Sequence, residues 1–309
     1  MPPIISRPSS IEARTKMNAP QSAILSPVPA HARYFQFNAR AGAETKPVLA
    51  ELAARPMEAG VVIGFGPGLV KSLGVTIDGH RPFPAISGPG IEIPSTQADI
   101  WIWIGGADRG DIAKTGNALT ALLSPTFDRV VLTDGFMHAG GRDLTGYEDG
   151  TENPEGDAAV DAAIVQDSTP NMNGSSFVAA QQWVHDLSYF GSLGEPERDN
   201  IIGRRISDNE EIDDAPISAH VKRTAQESFD PEAFVLRRSM PFADETGEGL
   251  MFVAFGKSLD AFEAQLRRMA GEEDGVVDGL FRFSRPMSGG YFWCPPVKHE
   301  HLNLIALGV

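Results

Sequence analysis

The order of the apolar runs constrains this chain more than any single residue does. Residues 32–39 are rich in aromatic β-formers with partial alternation and predict a strand. Thr45 followed by Pro47 marks a helix start, with Val48, Leu49, Leu52 and Ala53 as the apolar face. Residues 61–65 predict a short buried strand. A long loop carrying the Pro- and Gly-rich run 81–94 then leads to residues 98–104. There the isoleucines occupy one face and Trp101 and Trp103 the other, so both faces are expected to be covered. A helix over 111–123 and a strand over 127–132 complete the order β-α-β-β-α-β, the ferredoxin-like pattern.

A similar order recurs downstream. Residues 175–184 predict a strand, and a polar helical stretch runs through 196–202. Residues 234–238 and 250–255 predict two more strands. Ser258 is placed to cap a helix whose Leu259, Phe262, Leu266 and Met269 share one face, and Tyr291-Phe292-Trp293 closes the set. The expected fold is α+β, with duplicated ferredoxin-like domains built on antiparallel sheets, although no residue-level repeat links the halves. The expected division is a disordered leader over 1–25, an N-terminal domain over 26–145 and a C-terminal domain over 146–309.

A chain of 309 residues with 42% hydrophobic content can bury the cores that such a division requires. Its formal charge of -15 argues against a nucleic-acid or anionic-membrane partner, which would need a basic surface. The single cysteine, Cys294, excludes an internal disulfide framework and suits a reducing compartment. The first twenty residues lack a continuous apolar stretch and a twin-arginine pair, and no run approaches membrane-spanning length. A cytoplasmic location is the expectation.

Chemistry concentrates in the stretch from Gly146 to Pro154, Gly-Tyr-Glu-Asp-Gly-Thr-Glu-Asn-Pro, just after Arg142-Asp143-Leu144-Thr145. Two glycines bracket Asp149, and a proline closes a loop without apolar periodicity, so the carboxylate is held in one direction. Such loops are more often solvated turns, and this one fails the calcium-loop spacing. The Gly64-Phe65-Gly66-Pro67-Gly68 run lacks the register and the Lys-Ser/Thr of a phosphate loop, so a nucleotide site is rejected. Among the seven histidines, His220 stands apart because it follows the acidic run 209–214, although a lone histidine there is more often structural. His185 reads as a satisfied structural histidine beside Asp186.

The loop Gly146-x-x-Asp149-Gly150-Thr151-Glu152-Asn153-Pro154 resembles the signature of the dye-decolourising peroxidases, a family of haem enzymes. Ile202-Gly203-Arg204, the acidic run and Pro216-x-x-x-His220 follow in the family's order. Leu236-Arg237-Arg238-Ser239-Met240-Pro241-Phe242 matches its distal-arginine run, and Ser239 fits the bacterial cytoplasmic, porphyrinogen-peroxidase-like subgroup. The resemblance covers residues 27–298 and implies non-covalent haem b in the C-terminal half, since no Cys-x-x-Cys-His site exists. It implies His220 as the proximal iron ligand, with Asp278 accepting from its other ring nitrogen and Asp274 as the alternative.

Asp149, Arg237 and Ser239 become the catalytic candidates, and Arg204, Gly150 and Thr151 join the haem contacts. Arg237 and Arg238 must point to opposite faces of a strand, so only one can enter a pocket. The implied reaction is cleavage of hydrogen peroxide with one-electron oxidation of bulky organic donors such as dyes, phenols or porphyrinogens. A haem-handling protein with little turnover is the rival reading, and a cofactor-free oligomerisation module is another. The resemblance also implies a homo-oligomer. The short tail after Pro296 lends no support to an encapsulin-loading extension, which the resemblance would allow. Arg205, where relatives often have threonine, and Tyr147, where many have phenylalanine, depart from the pattern. Cys294 beside two prolines is discounted as a thiolate ligand.

Overall fold

The computed structural model describes residues 18–309 apart from 167, 168 and 170. The first unit comprises β1 (His31–Ala39), α1 (Lys46–Ala53), β2 (Val61–Phe65), β3 (Ile100–Gly106), α2 (Arg109–Leu123) and β4 (Phe127–Phe136). Its strands pair antiparallel in the order β2-β3-β1-β4. Further along come α3 (Gly156–Ala163), β5 (Ser176–His185), α4 (Glu195–Ile202), α5 (His220–Arg223), β6 (Met240–Asp244), β7 (Gly247–Gly256), α6 (Asp260–Met269) and β8 (Gly290–Cys294). The strands of this second unit pair in the order β8-β5-β7-β6, so both halves have the ferredoxin-like arrangement.

The two sheets join edge to edge. One register pair, Trp293 with Phe65, links β8 to β2, and one, Phe242 with Gly135, links β6 to β4. Close approach at the first seam needs Gly64, where a Cβ would lie 2.8 Å from Phe292 Cβ. Trp101, Trp103, Phe255, Phe292 and Cys294 fill the space between the sheets. Ile100, Ile102 and Ile104 face the opposite way, into the layer under α1 and α2. The expected two-sided strand is therefore found, with each face in a different core. Leu49 and Leu123, both fully buried, anchor the helices there, at roughly 1.5–3 kcal/mol each. Asp108 caps α2 by accepting from the Asp111 amide at 3.0 Å.

Three expectations need correction. The strand over 234–238 is only Leu236–Arg237, and its continuation β6 keeps the same register against β7. Between them Arg238 still donates its amide to Val253 at 2.8 Å, and Ser239 Oγ accepts from the Val253 amide at 3.3 Å in place of a carbonyl. Pro241, which has no N–H, and this side-chain substitution break up a strand pattern that would otherwise read as one piece. Helix α6 starts at Asp260, and Ser258 Oγ accepts from the Asp260 amide at 3.3 Å.

The disordered leader expected over 1–25 does not extend to its last residues, while 1–17 lie outside the described residues. Ala19 pairs with Val297, and the buried Gln21 side chain bonds Ile63 and the Pro295 carbonyl at 2.8–3.0 Å. A buried amide that satisfies both its ends ties that segment to the first seam.

Candidate active site

The outer face of the second sheet is not filled as the first one is. A cavity of about 250 Å³ lies between that face and α5, α6 and the acidic loop, and every residue lining it falls between Glu148 and Ser284. Gln181, Trp183 and His185 of β5, Leu250 and Phe252 of β7, and Arg237 form the sheet side. Leu266 and Met269 of α6 face them, and His220 opens α5 on the flank.

Asp149 is carried by a backbone that allows little freedom. Gly146 and Gly150 have φ of 91° and 80°, in the left-handed region that glycine takes without strain. The Asp149 amide donates to the Gly141 carbonyl at 3.1 Å, and Arg142 donates to the Gly146 carbonyl at 2.7 Å and to Glu148 at 2.8 Å. Tyr147 is buried on the far side of the loop, where its hydroxyl donates to Asp199 of α4.

Asp149 has surface that water reaches from the cavity, yet it sits deep among protein atoms, and depth governs its titration. Desolvation raises its carboxyl above the ordinary range, against the opposing pull of Arg237; Asp143 adds to the rise, and Gly150 and His220 oppose it.

Arg237 reaches the cavity, whereas Arg238 turns the other way and donates to the Ile24 carbonyl at 3.1 Å. Strand alternation thus sorts the arginine pair as the sequence implied. The Arg237 backbone is clamped from the acidic loop: its amide donates to Asn153 Oδ1 at 2.8 Å, and Asn153 Nδ2 donates back to its carbonyl at 3.0 Å. Sequence reasoning quoted Asn153 inside the motif without giving it a role. Its signal was an amide side chain three residues after the paired Asp149-Gly150 turn.

His220 Nδ1 lies 2.8 Å from Asp278 Oδ2, and the fully buried Asp278 accepts the Leu280 amide at 2.8 Å through its other oxygen. The alternative is excluded, because Asp274 forms a two-pronged pair with Arg223 at 2.7 and 2.8 Å. No other described residue bonds the remaining nitrogen of His220, which stands in the cavity wall.

The other sequence candidates are less uniform. Gly150 and Thr151 line the cavity, but the Thr151 hydroxyl is taken by Asn209 at 3.0 Å. Arg204 follows the left-handed Gly203 that ends α4, and lines the cavity with its guanidinium bonded to Glu152 and to the Asn209 carbonyl. Ser239 is not among the cavity residues. It lines a cleft of about 60 Å³ on the other side, together with Asp149 and Arg237. Cys294 lies between the two sheets, away from the cavity, and burial pushes its thiol up.

His185, which reads from the sequence as a satisfied structural histidine beside Asp186, lines the cavity and has Ser284 at 2.7 Å and Asp143 at 3.3 Å as its partners. Burial works against the Asp143 charge, but the His185 and Thr145 bonds outweigh it and hold that carboxyl below the usual range.

Comparison with known proteins gives this arrangement its relatives. A family model described as Dyp-type peroxidase, C-terminal, matches residues 140–299. The dye-decolorizing peroxidase of Mycobacterium tuberculosis is 33% identical over 227 residues, covering 70% of this chain and 67% of that protein. This chain belongs to the Dyp-type peroxidase family. The corresponding protein of Mycolicibacterium paratuberculosis is 31% identical over 224 residues, and the matched region spans 63% of its length.

Among solved structures, a putative dyp-type peroxidase from Shewanella oneidensis superposes with a TM-score of 0.86 at 27% identity, covering 92% of this chain and 98% of that one. A variant of Rhodococcus jostii DypB in complex with heme gives 0.82 at 28% identity, covering 91% and 97%.

Proposed function

We propose that this Dyp-type family member is a haem b peroxidase that reduces hydrogen peroxide with electrons from organic donors. The observation that carries the reading is His220: Asp278 holds one ring nitrogen, and the other is left to a cavity that also contains Asp149 and Arg237. The residues fit the group. The His220 imidazole, backed by the buried Asp278 carboxylate, would hold the iron of such a group, and Leu250, Phe252, Leu266, Met269 and Leu280 would offer an apolar wall to its macrocycle. Arg204 can meet an anionic edge of the group by releasing the exposed Glu152. Haem b bound there would supply redox chemistry toward peroxide in single-electron steps.

The chain's own residues handle the protons and the charge. Asp149 takes the proton from one peroxide oxygen and returns it to the other, a task suited to a carboxyl whose affinity for protons is raised by burial. The Arg237 guanidinium stabilises the negative charge that develops on the departing oxygen. Asn153 keeps that guanidinium in register through the backbone clamp. Ser239, in the small cleft beside both, is assigned a supporting place there. The division into units over 26–145 and 146–309 puts the whole cavity in the second, and we assign the protein to the cytoplasm as a homo-oligomer. No helix among the described residues is long and apolar enough to cross a membrane.

A haem carrier would need neither Asp149 nor Arg237, which disfavours that rival. The test is an absorption spectrum of protein expressed with haem supply, before and after one equivalent of peroxide. The expected result is a haem band in wild type, Asp149→Ala and Arg237→Ala alike, with rapid conversion by peroxide in wild type alone. A haem band that only bleaches would establish the carrier, and no band would refute the haem site.

A further inference from the structure

His185 stands on the wall of the His220 cavity, yet neither it nor its partner Asp143 has a part in the chemistry described so far. It is the last residue of β5, and its backbone is in register with Ser284 of the short strand Ser284–Pro286. The His185 and Asp143 side chains are only 7% and 13% exposed, and Ser284 is fully buried. Nδ1 faces the Ser284 hydroxyl at 2.7 Å and Nε2 faces the Asp143 carboxylate at 3.3 Å. A ring that donates from Nε2 and accepts the serine proton at Nδ1 satisfies both contacts.

Asp143 in turn organises the acidic loop. Its Oδ2 accepts from the Thr145 amide at 2.8 Å and from the Thr145 hydroxyl at 2.6 Å. Its amide donates to the Tyr147 carbonyl and its carbonyl accepts from the Gly146 amide, both at 2.9 Å. The turn closed in this way ends just before Glu148 and Asp149. Among the described residues, His185 is the hydrogen-bond partner that Asp143 has outside that turn. Tyr147 fastens the same turn to α4, so the two ties reach it from different elements.

The tie to β5 also fixes a charge. Around Asp149 stand Arg237 from the sheet, His220 from α5, Arg204 following α4, and Arg142, Glu148 and His138 from its own segment. Burial raises the Asp149 carboxyl most, Arg237 opposes it, and the Asp143 charge comes next, adding to the rise. Burial works to raise Asp143 as well, but the bonds from His185 and Thr145 hold it low and so keep it charged.

We propose that Asp143 and His185 are positioning residues for the peroxide step, a buried clamp that acts through Asp149. His185 pins the turn to β5, and the pinned carboxylate directs Asp149 and sets a second negative charge behind it. The inference rests on the peroxidase reading and adds two residues to the same step.

The experiment uses His185→Leu, His185→Gln and Asp143→Asn in the full chain. Amide hydrogen exchange is followed with and without haem, and the peroxide step is followed across pH by stopped-flow absorption. In His185→Leu the Gly146 and Asp149 amides are expected to exchange roughly tenfold faster, with the amides of β1 and β3 unchanged. The peroxide step should slow roughly tenfold in that variant, while KM for an organic donor stays as it was. His185→Gln, whose amide can donate to Asp143 and accept from Ser284, should recover most of both losses. Asp143→Asn keeps the shape and removes the charge, so the acid limb of the peroxide step should move to lower pH.

An unmoved acid limb in Asp143→Asn, or unchanged exchange at Gly146 and Asp149 in His185→Leu, would overturn the proposal. Faster exchange throughout the molecule would reduce His185 to a purely structural residue and overturn it equally. If His185→Leu does not fold, the acid limb of Asp143→Asn decides. A haem-loaded wild type that does not react with peroxide would instead refute the peroxidase reading, and the catalytic purpose of the clamp with it.

Discussion

The two halves of the molecule share one strand order and differ in what covers the outer face of the sheet. In the first, Phe35 and Phe37 of β1 and the isoleucines of β3 meet Leu119 and Leu122 of α2, and the layer closes. At the corresponding face of the second, β5 presents Gln181 and His185 beside Trp183, and α6 contributes Gln265 among its apolar residues. Polar side chains on a central strand, and a loop interposed before α6, keep the second layer from collapsing onto the sheet. A duplicated scaffold thus yields one stabilising half and one with room for chemistry, because packing is completed in only one of them.

The sharpest way to test this division is chemical. Arg237→Ala, in the open half, is expected to slow the peroxide step about 100- to 1000-fold with little change in haem binding, as read by stopped-flow absorption. Next comes a matched pair of core truncations on the haem-free protein. Ile102→Ala, in the closed layer, should cost about 2–5 kcal/mol in urea unfolding, whereas the half-buried Leu250→Ala on the cavity wall should cost about 1 kcal/mol. Equal costs would mean that the cavity wall is as tightly packed as the closed layer.

Tyr147→Phe tests how the acidic loop is fastened to α4. Losing a bond to the buried Asp199 should cost about 1.5–3 kcal/mol, and the pH profile of the peroxide step should shift as Asp149 loses its fixed position. A variant with lowered stability but an unmoved pH profile would show that the loop is held without this bond.

The smallest effect concerns the charge of Asp149 itself. Its raised pKa means that the native state binds this proton more tightly than the unfolded chain. The carboxyl therefore begins to detract from stability as the pH rises past its unfolded value, about 3.9, and does so fully above the native one. Asp149→Asn should accordingly raise the Tm of the haem-free protein at pH 7 and leave it unchanged near pH 3.

Much of this was legible in the chain. The glycine-bracketed Asp149, the order of Arg204 and His220, and the alternation of Arg237 with Arg238 are local, and local patterns survive translation into structure. The choice between Asp278 and Asp274 was not legible. The two lie four residues apart on a turn where Gly271 and Gly275 take positive φ, and only the path of that turn shows which carboxylate reaches His220. Nor was the pairing of Asn153 with the Arg237 backbone, or of His185 with Asp143, since each joins segments far apart in the sequence. Ser239 looked like a polar active-site residue by motif, and its hydroxyl also fills a gap in the strand ladder.

The joins between the sheets have a mechanical consequence. Each is a single residue pair, so backbone bonding ties the strands within a half more densely than it ties one half to the other. The His220 cavity takes no wall from the first unit. The small cleft beside Asp149 and Arg237 is different, because Val28 and Met137 from the first unit form part of its rim. A shift of one half past the other would therefore alter this cleft while leaving the large cavity as it is.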